Sequence, residues 1–493
     1  MFKKPRTLSV LLATAVSVGT LLGASPTVGA TTTNYTVSQK TRAHPLLQVG
    51  AQAEPSKLVT VLVSKTSSSV SSSTVAKTVP ASVLQDFPSI NSFVLQISQQ
   101  AALNLAKAAG VRYVTPVSKV HLTSIDASHL KTTYEGTLGT PNEWNGAAPL
   151  GATGQGVTVA VLDTGVNPAL TDVSTNLVCT MVKSSSCNDG HGHGTHVIGI
   201  VKGRDVLGRY IGVAPDAQVI SIKVADDTGQ ATNQDVINGL QWVYNNRQTY
   251  NIRVVNLSLG GSAAESYASS AIDAYIEQLW LSGVVVVVAA GNYGTNSDAT
   301  WYAPANDPYA ISVGALDDNQ TTTTTDDSLA SFSSRGLTQD GFAKPEIVAP
   351  GRKITSTLAG LTSYLGKTYP DRIVDTNYIT MSGTSMAAPV VTGTVALLLQ
   401  QFPNLTPNQV KWLLQNTEQT YAGQPDGAGM LSPVALLQRA AAGSIGSANQ
   451  GLTPSSALDP TTSTVTSTSY WNQSYWNQSY WNQSYWAQES SLY

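Results

Sequence analysis

Charge is scarce in this chain: only 12% of its 493 residues are Asp, Glu, Lys or Arg. That scarcity, set against abundant Ser, Thr, Gly and Asn, argues against a cytosolic protein and fits a secreted one. Cysteine is scarcer still, with only Cys179 and Cys187. After the first thirty residues no stretch is long and apolar enough to span a bilayer, which excludes a protein built from membrane helices. A basic surplus is also missing from the main body. Residues 1–125 hold 11 Lys and Arg against 2 Asp and Glu, whereas the remainder holds 16 against 28. An acidic body disfavours nucleic-acid binding. A basic front on an acidic body fits a pro-segment that docks on its own enzyme; a positive signal peptide plus chance is the plainer alternative.

The front reads as a secretory signal. Lys3, Lys4 and Arg6 precede the apolar run Leu8 to Ala24, and Val28 to Ala30 supplies small residues for cleavage. In an oxidising compartment Cys179 and Cys187 should pair and close a short loop, although two free thiols remain open. The length calls for two or three units. In residues 31–125, alternating strands (Lys57 to Lys65, Ser92 to Ser98) and a helix ended by Gly110 suggest a small α+β domain. Residues 126–442 change pattern. "GVTVAVLD", "AQVISIKV", "IRVVNLSLG" and "GVVVVVAAGN" are apolar without alternation, the signature of strands buried on both faces. The fold class expected is α/β, a parallel sheet sandwiched by helices, with function gathered at the carboxyl ends of the strands. Asp163, Ser258 and Asn292 fall at such ends.

Residues 443–493 form a low-complexity tail with "SYWNQ" repeated from Ser469 to Gln483 and "SYWAQ" after it. A five-residue period cannot carry its own core. A sticky tail that contacts cell wall or carbohydrate is one reading, and a processed, disordered tail is the other. Asn472, Asn477 and Asn482 each precede Gln-Ser, formally a glycosylation pattern.

Histidine is also rare, and half of the six lie in "CNDGHGHGTHVIG" as His191, His193 and His196. A metal trio would need a carboxylate or thiol close by. Asp189 and Cys187 are too crowded in sequence to converge easily, so no metal is assigned. A second arrangement uses one histidine with distant partners. Asp163 ends a buried strand in "VAVLDTGV", and Ser385 opens an apolar helix in "MSGTSMAAP". A serine hydroxyl is a weak nucleophile until a base stands within hydrogen-bond reach, and the base needs a carboxylate to fix its tautomer. "DTG" recurs at Asp227, which leaves an aspartic-protease reading. Its second copy lacks a full apolar strand, and that reading leaves "GTSMAAP" unexplained. A catalytically dead, surface-binding relative is a third class, disfavoured because every catalytic residue type is present.

The three segments, with "GVAP", "NLSLGG", "AAGN", "ISVGA", "FSSRG" and "KPEIVAPG" in order over roughly residues 145–425, resemble the subtilisin family of secreted serine endopeptidases. That resemblance implies Asp163 as orienting acid, His193 (the first histidine of His-Gly-Thr-His) as base and Ser385 as nucleophile. It implies Asn292 as oxyanion donor and Ser258, Leu259 and Gly260 as the edge that pairs with an extended protein or peptide substrate. Residues 31–125 resemble, in pattern only, the family's inhibitory and folding-assisting pro-segment, so the chain is expected to mature from a proenzyme. His191 and His196 are then bystanders. The chemistry requires no cofactor. Structural calcium fits the family but has no assigned ligands here, because Arg204 and Asp205 stand where the family often has a calcium loop. Tyr302 is offered as a pocket-wall selector, residues 352–378 as a lengthened approach to the nucleophile, and a monomer as the working state.

Overall fold

The computed structural model describes residues 7–9, 34–36, 42–117, 125–261, 263–422, 424, 428–459 and 464–465. The expected signal segment, apart from residues 7–9, and the aromatic repeats lie outside them. The chain divides into two compact units, Met1–Leu122 and Thr123–Tyr493.

In the first unit, strands β1 (Leu58–Lys65), β2 (Gln85–Phe87), β3 (Ser92–Ser98) and β4 (Val111–Pro116) form an antiparallel sheet in the order β2-β3-β1-β4. Alternation puts Val61, Val63, Phe93, Leu95 and Ile97 on one face. There they pack with Leu47 of α1 (Pro45–Ala53) and with Ala102 and Leu105 of α2 (Gln99–Leu105). Gly110 takes φ +78° just before β4, a left-handed turn that suits glycine.

The second unit is built on a mostly parallel sheet. Its strands are β5 (Thr158–Asp163), β6 (Leu177–Met181), β7 (Gln218–Lys223), β8 (Ile252–Leu257), β9 (Val285–Ala289), β10 (Ile311–Asp317), β11 (Ser328–Leu329) and β12 (Ile347–Pro350). The order is β11-β10-β9-β8-β5-β7-β6, with β12 parallel to β10 and only β11 antiparallel. Every residue of β5 and β9 is buried, as continuous apolar runs require. Helices α3 (His193–Lys202) and α6 (Thr384–Gln401) pack together, as do α4 (Asn233–Asn246) and α5 (Ala271–Leu281). Helices α7 (Pro407–Asn416) and α8 (Pro433–Ala442) follow.

Register determines where chemistry can gather. Leu257 lies opposite Leu162 on one side and Val288 on the other. The carboxyl ends of β5, β8 and β9 are therefore neighbours, and Asp163, Ser258 and the Ala289–Asn292 turn share one edge. The lengthened approach of residues 352–378 folds into a small antiparallel sheet of β13 (Ile354–Thr357), β14 (Ile373–Val374) and β15 (Tyr378–Met381). It also sends a short helix, Tyr364–Thr368, to the histidine loop, where Tyr364 and Leu365 N–H donate to the carbonyls of Gly190 and His191 at 2.8 and 3.0 Å.

The packed chain runs past residue 442, where sequence patterning placed its end. Residues 443–459 lie against the unit: Ser455 N–H donates to Glu277 at 2.7 Å, and Ala457 and Leu458 are buried with Ala274 of α5. Hydroxyl and backbone bonds hold much of this strap, and its few apolar contacts are too scattered to give a hydrophobic period.

Candidate active site

Asp163 is the last residue of β5, and its side chain is 1% exposed. His193, fully buried, opens α3 with Nδ1 2.7 Å from Asp163 Oδ1. A carboxylate that accepts from Nδ1–H leaves the lone pair of a neutral imidazole on Nε2, the tautomer a general base requires. Gly192, just before His193, takes φ +109°, which an L side chain adopts only with strain. The turn that delivers the histidine therefore depends on a glycine.

Ser385 is the second residue of α6 and is partly exposed, while Thr384 and Met386 through Leu399 are all buried. Gly383 precedes the helix at φ +152°, ψ 159°, a region essentially reserved for glycine. Pro389 lies four residues beyond Ser385 and has no N–H, so the Ser385 carbonyl loses its helical partner. Ser258 fills the gap, its hydroxyl donating to Ser385 O at 2.8 Å. Asn256 Nδ2 donates to Ser258 Oγ at 3.0 Å, and Thr392 Oγ1 to Asn256 Oδ1 at 2.9 Å. A buried polar chain thus ties the Ser385 backbone to β8 and to Thr392, about two turns further along α6. Ser385 Oγ itself lies 3.4 Å from the Ser258 carbonyl.

Asn292 is nearly buried beside the same helix start. Its Oδ1 accepts from Thr384 N–H at 2.9 Å and Thr384 Oγ1 at 3.0 Å. Those two bonds fix which branch of the amide is oxygen, leaving Nδ2 on the opposite branch. Leu259 and Gly260 line a small pocket with Ala231, Asn233, Val236 and Ile272, next to the edge expected to hold substrate. Tyr302 gives its hydroxyl to Asp298 at 2.6 Å and tilts against Tyr293.

His191 stacks on Tyr364 at 5.0 Å between centroids, and His196 bonds through Nε2 to the Ile379 carbonyl at 3.0 Å. Burial, reinforced by the neighbouring His193, lowers both imidazoles to about 3. Each is thus neutral in the folded protein near pH 7. The stability consequence has a definite sign. A folded value below the ordinary 6.5 means the unfolded chain takes the proton first. Stability is full above about pH 6.5 and is lost as pH falls from there towards 3. Thermal unfolding of a Ser385→Ala protein should accordingly show a midpoint that drops below pH 6.5. His196→Gln, which keeps a donor for Ile379 O, should flatten that drop; an unchanged slope would contradict the assignment.

Asp227, of the second "DTG", pairs with Lys223 Nζ at 2.7 Å, and its side chain is 65% exposed. Among the described residues its partners are Lys223 and the Gly190 N–H, not the second carboxylate of an aspartic dyad. Cys179 and Cys187 are joined as a disulfide in the approach to the histidine loop. Asp205 takes the Arg209 guanidinium on both oxygens, and Arg204 pairs with Asp216. Charges matched among themselves do not fit the calcium loop that the family often has there. Among the described residues no three His, Cys, Asp or Glu side chains are grouped to hold a metal.

Sequence reasoning gave no role to Thr164, Asn256 or Thr392, and it weighed Asp189 only as a metal ligand. Pro389, four residues after Ser385, was the one visible signal that the serine's carbonyl needed an outside donor.

Known proteins resemble the chain in sequence and fold. The subtilase family profile matches residues 154–434. Serine protease AprX of Bacillus subtilis (strain 168) is 43% identical over 274 residues, covering 54% of this chain and 61% of AprX. The chain therefore spans less than two thirds of that relative's length. Subtilisin E of the same organism is 32% identical over 347 residues, 69% of this chain and 78% of the subtilisin. Among solved structures, fervidolysin from Fervidobacterium pennivorans, a keratinolytic enzyme related to subtilisin, superimposes with a TM-score of 0.50 at 28% identity. That match covers 78% of this chain and 61% of fervidolysin.

Proposed function

From a chain that belongs to the subtilase family we propose a secreted serine endopeptidase, matured from its own proenzyme, that cleaves proteins through an acyl-enzyme. The observation that carries the reading is the buried 2.7 Å contact between Asp163 and His193, on the strand edge shared with Asn292 and the Ser258 end of β8.

The steps follow from the groups in place. An extended substrate pairs with Ser258–Gly260 and lies beside the small pocket lined by Leu259. Ser385 Oγ attacks the scissile carbonyl while His193 Nε2 takes the hydroxyl proton. Asp163, holding Nδ1–H, stabilises the imidazolium without accepting that proton. Asn292 Nδ2–H and the Ser385 N–H, one of the donors that a helix start leaves without a helical partner, stabilise the oxyanion. His193 then protonates the departing amine, and water activated by the same base releases the acyl group.

The basic first unit would act as an intramolecular inhibitor of the acidic second one, and the apolar N-terminal run would direct export. No helix among the described residues is long and apolar enough to cross a membrane. The chemistry takes no cofactor, and a monomer suffices because one chain supplies the whole constellation. The aromatic tail would contact wall or carbohydrate surfaces.

Casein digestion tests the reading. A serine-directed sulfonyl fluoride should stop internal cleavage, and N-terminal sequencing should place the mature start between residues 119 and 145. Inhibition by a pepstatin-type inhibitor, or by chelators alone, would overturn the reading.

A further inference from the structure

Helix α3 begins without a capping side chain of its own, because its N-cap is Gly192. The N–H groups of its first turn therefore need an outside acceptor. Asp189, 5% exposed, supplies it. Oδ1 accepts from Gly192 N–H at 2.7 Å and from Thr164 Oγ1 at 2.8 Å. Oδ2 accepts from Thr195 N–H at 2.8 Å and Thr195 Oγ1 at 2.7 Å. The Thr164 hydroxyl in turn accepts Gly194 N–H at 2.8 Å.

These partners have particular places in the chain. Thr164 follows Asp163 directly, and Gly192 and Gly194 flank His193. The residues on either side of the base and the residue after the acid are thus all tied to one carboxylate, directly or through one hydroxyl. The approach is close: a Cβ on Gly194 would lie 2.3 Å from the Gly165 carbonyl oxygen and 3.2 Å from Asp163 Cβ. The helix start is pressed against the strand tip, and the carboxylate fastens the two. A negative group at a helix N-terminus also suits the helix dipole.

We propose that Asp189 is a positioning residue: it sets the distance and angle between Asp163 and His193 by joining the tip of β5 to the first turn of α3. It touches neither substrate nor the reacting atoms. Burial pushes its carboxyl upward, and the Thr195, Gly192 and Thr164 donors oppose that rise. Those donors balance a buried carboxylate that would otherwise be costly. The inference rests on the base and acid assigned above. It deepens that assignment by naming what holds the pair in register.

Two substitutions test it, each read as turnover per active site counted with a fluorophosphonate titrant. Asp189→Asn keeps the shape but turns one acceptor into a donor facing N–H and O–H groups. Because small misplacements of catalytic groups are costly, kcat per counted site should fall by roughly 10- to 100-fold with KM within about twofold. Thr164→Val removes one of the ties without emptying the site and should lower kcat by roughly 3- to 10-fold, while Thr164→Ser, which restores the hydroxyl, should return it close to wild type. A purely structural role would lower the thermal midpoint of Asp189→Asn and leave kcat per counted site unchanged, and that result would overturn the proposal. If Asp189→Asn does not fold, the Thr164 pair decides, and equal wild-type kcat in both would overturn it. Either failure leaves the triad standing, whereas loss of the triad itself would be seen as labelling that survives Ser385→Ala.

Discussion

His193→Ala should abolish peptide-bond hydrolysis, while His191→Ala and His196→Ala should keep most of it. This separation follows from three different environments within six residues. His193 meets the Asp163 carboxylate at 2.7 Å and stands at the helix start facing the strand edge. His191 is spent on a ring stack with Tyr364 and His196 on the Ile379 carbonyl. The loss expected for His193→Ala is on the order of 10⁶ in kcat, the magnitude known for the equivalent histidine of a subtilisin and borrowed from that relative. Steady-state kinetics on a chromogenic peptide, with folding verified by circular dichroism, checks it. A loss of comparable size in His191→Ala or His196→Ala would contradict the assignment of roles.

Asn292→Ala should cost on the order of 10²–10³ in kcat with little change in KM, again a magnitude known from a subtilisin. The reason is that an oxyanion donor acts only once charge has developed on the substrate oxygen. Here the amide is preset, because Thr384 occupies Oδ1 with both its N–H and its hydroxyl. Removing the amide also leaves those two buried donors without their acceptor, so about 1–3 kcal/mol of stability should go with it. Thr384→Val separates the two effects. It removes one anchor but leaves Nδ2 in place, and it should lower stability more than turnover. Kinetics that show a raised KM at unchanged kcat for Asn292→Ala would mean that the side chain binds substrate and does not stabilise the transition state.

Much of the second unit was legible in the sequence, for a physical reason. Strands β5, β7, β8 and β9 are covered on both faces, so each appears as an unbroken apolar run. Strand β6 gives no such signal because it is half-exposed throughout. The three short strands of the approach to Ser385 pair antiparallel over two to four residues, too few for a period to register. The strap beyond Ala442 was invisible for a related reason: hydrogen bonds such as Ser455 to Glu277 hold it, and they leave no hydrophobic pattern.

At the site, Asp163, His193 and Ser385 were legible as residue types able to do acyl transfer, but choosing His193 among three histidines needed the family resemblance. Geometry supplies an independent reason, since His193 reaches the Asp163 carboxylate while His191 stacks on Tyr364 and His196 bonds to the Ile379 carbonyl. What no pattern could reveal is the layer behind them. Asp189, Thr164, Asn256 and Thr392 matter through contacts across 2 to 136 positions, which depend on how strand ends and helix starts meet in space.

In the proposed mechanism Ser385 is made nucleophilic by His193 and Asp163. Its most direct test is labelling of the purified protein with a fluorophosphonate probe, side by side with Ser385→Ala. One covalent adduct per chain is expected, located on Ser385 by peptide mapping, and none in Ser385→Ala. Labelling that survives the substitution, or an adduct mapped to another residue, would contradict it.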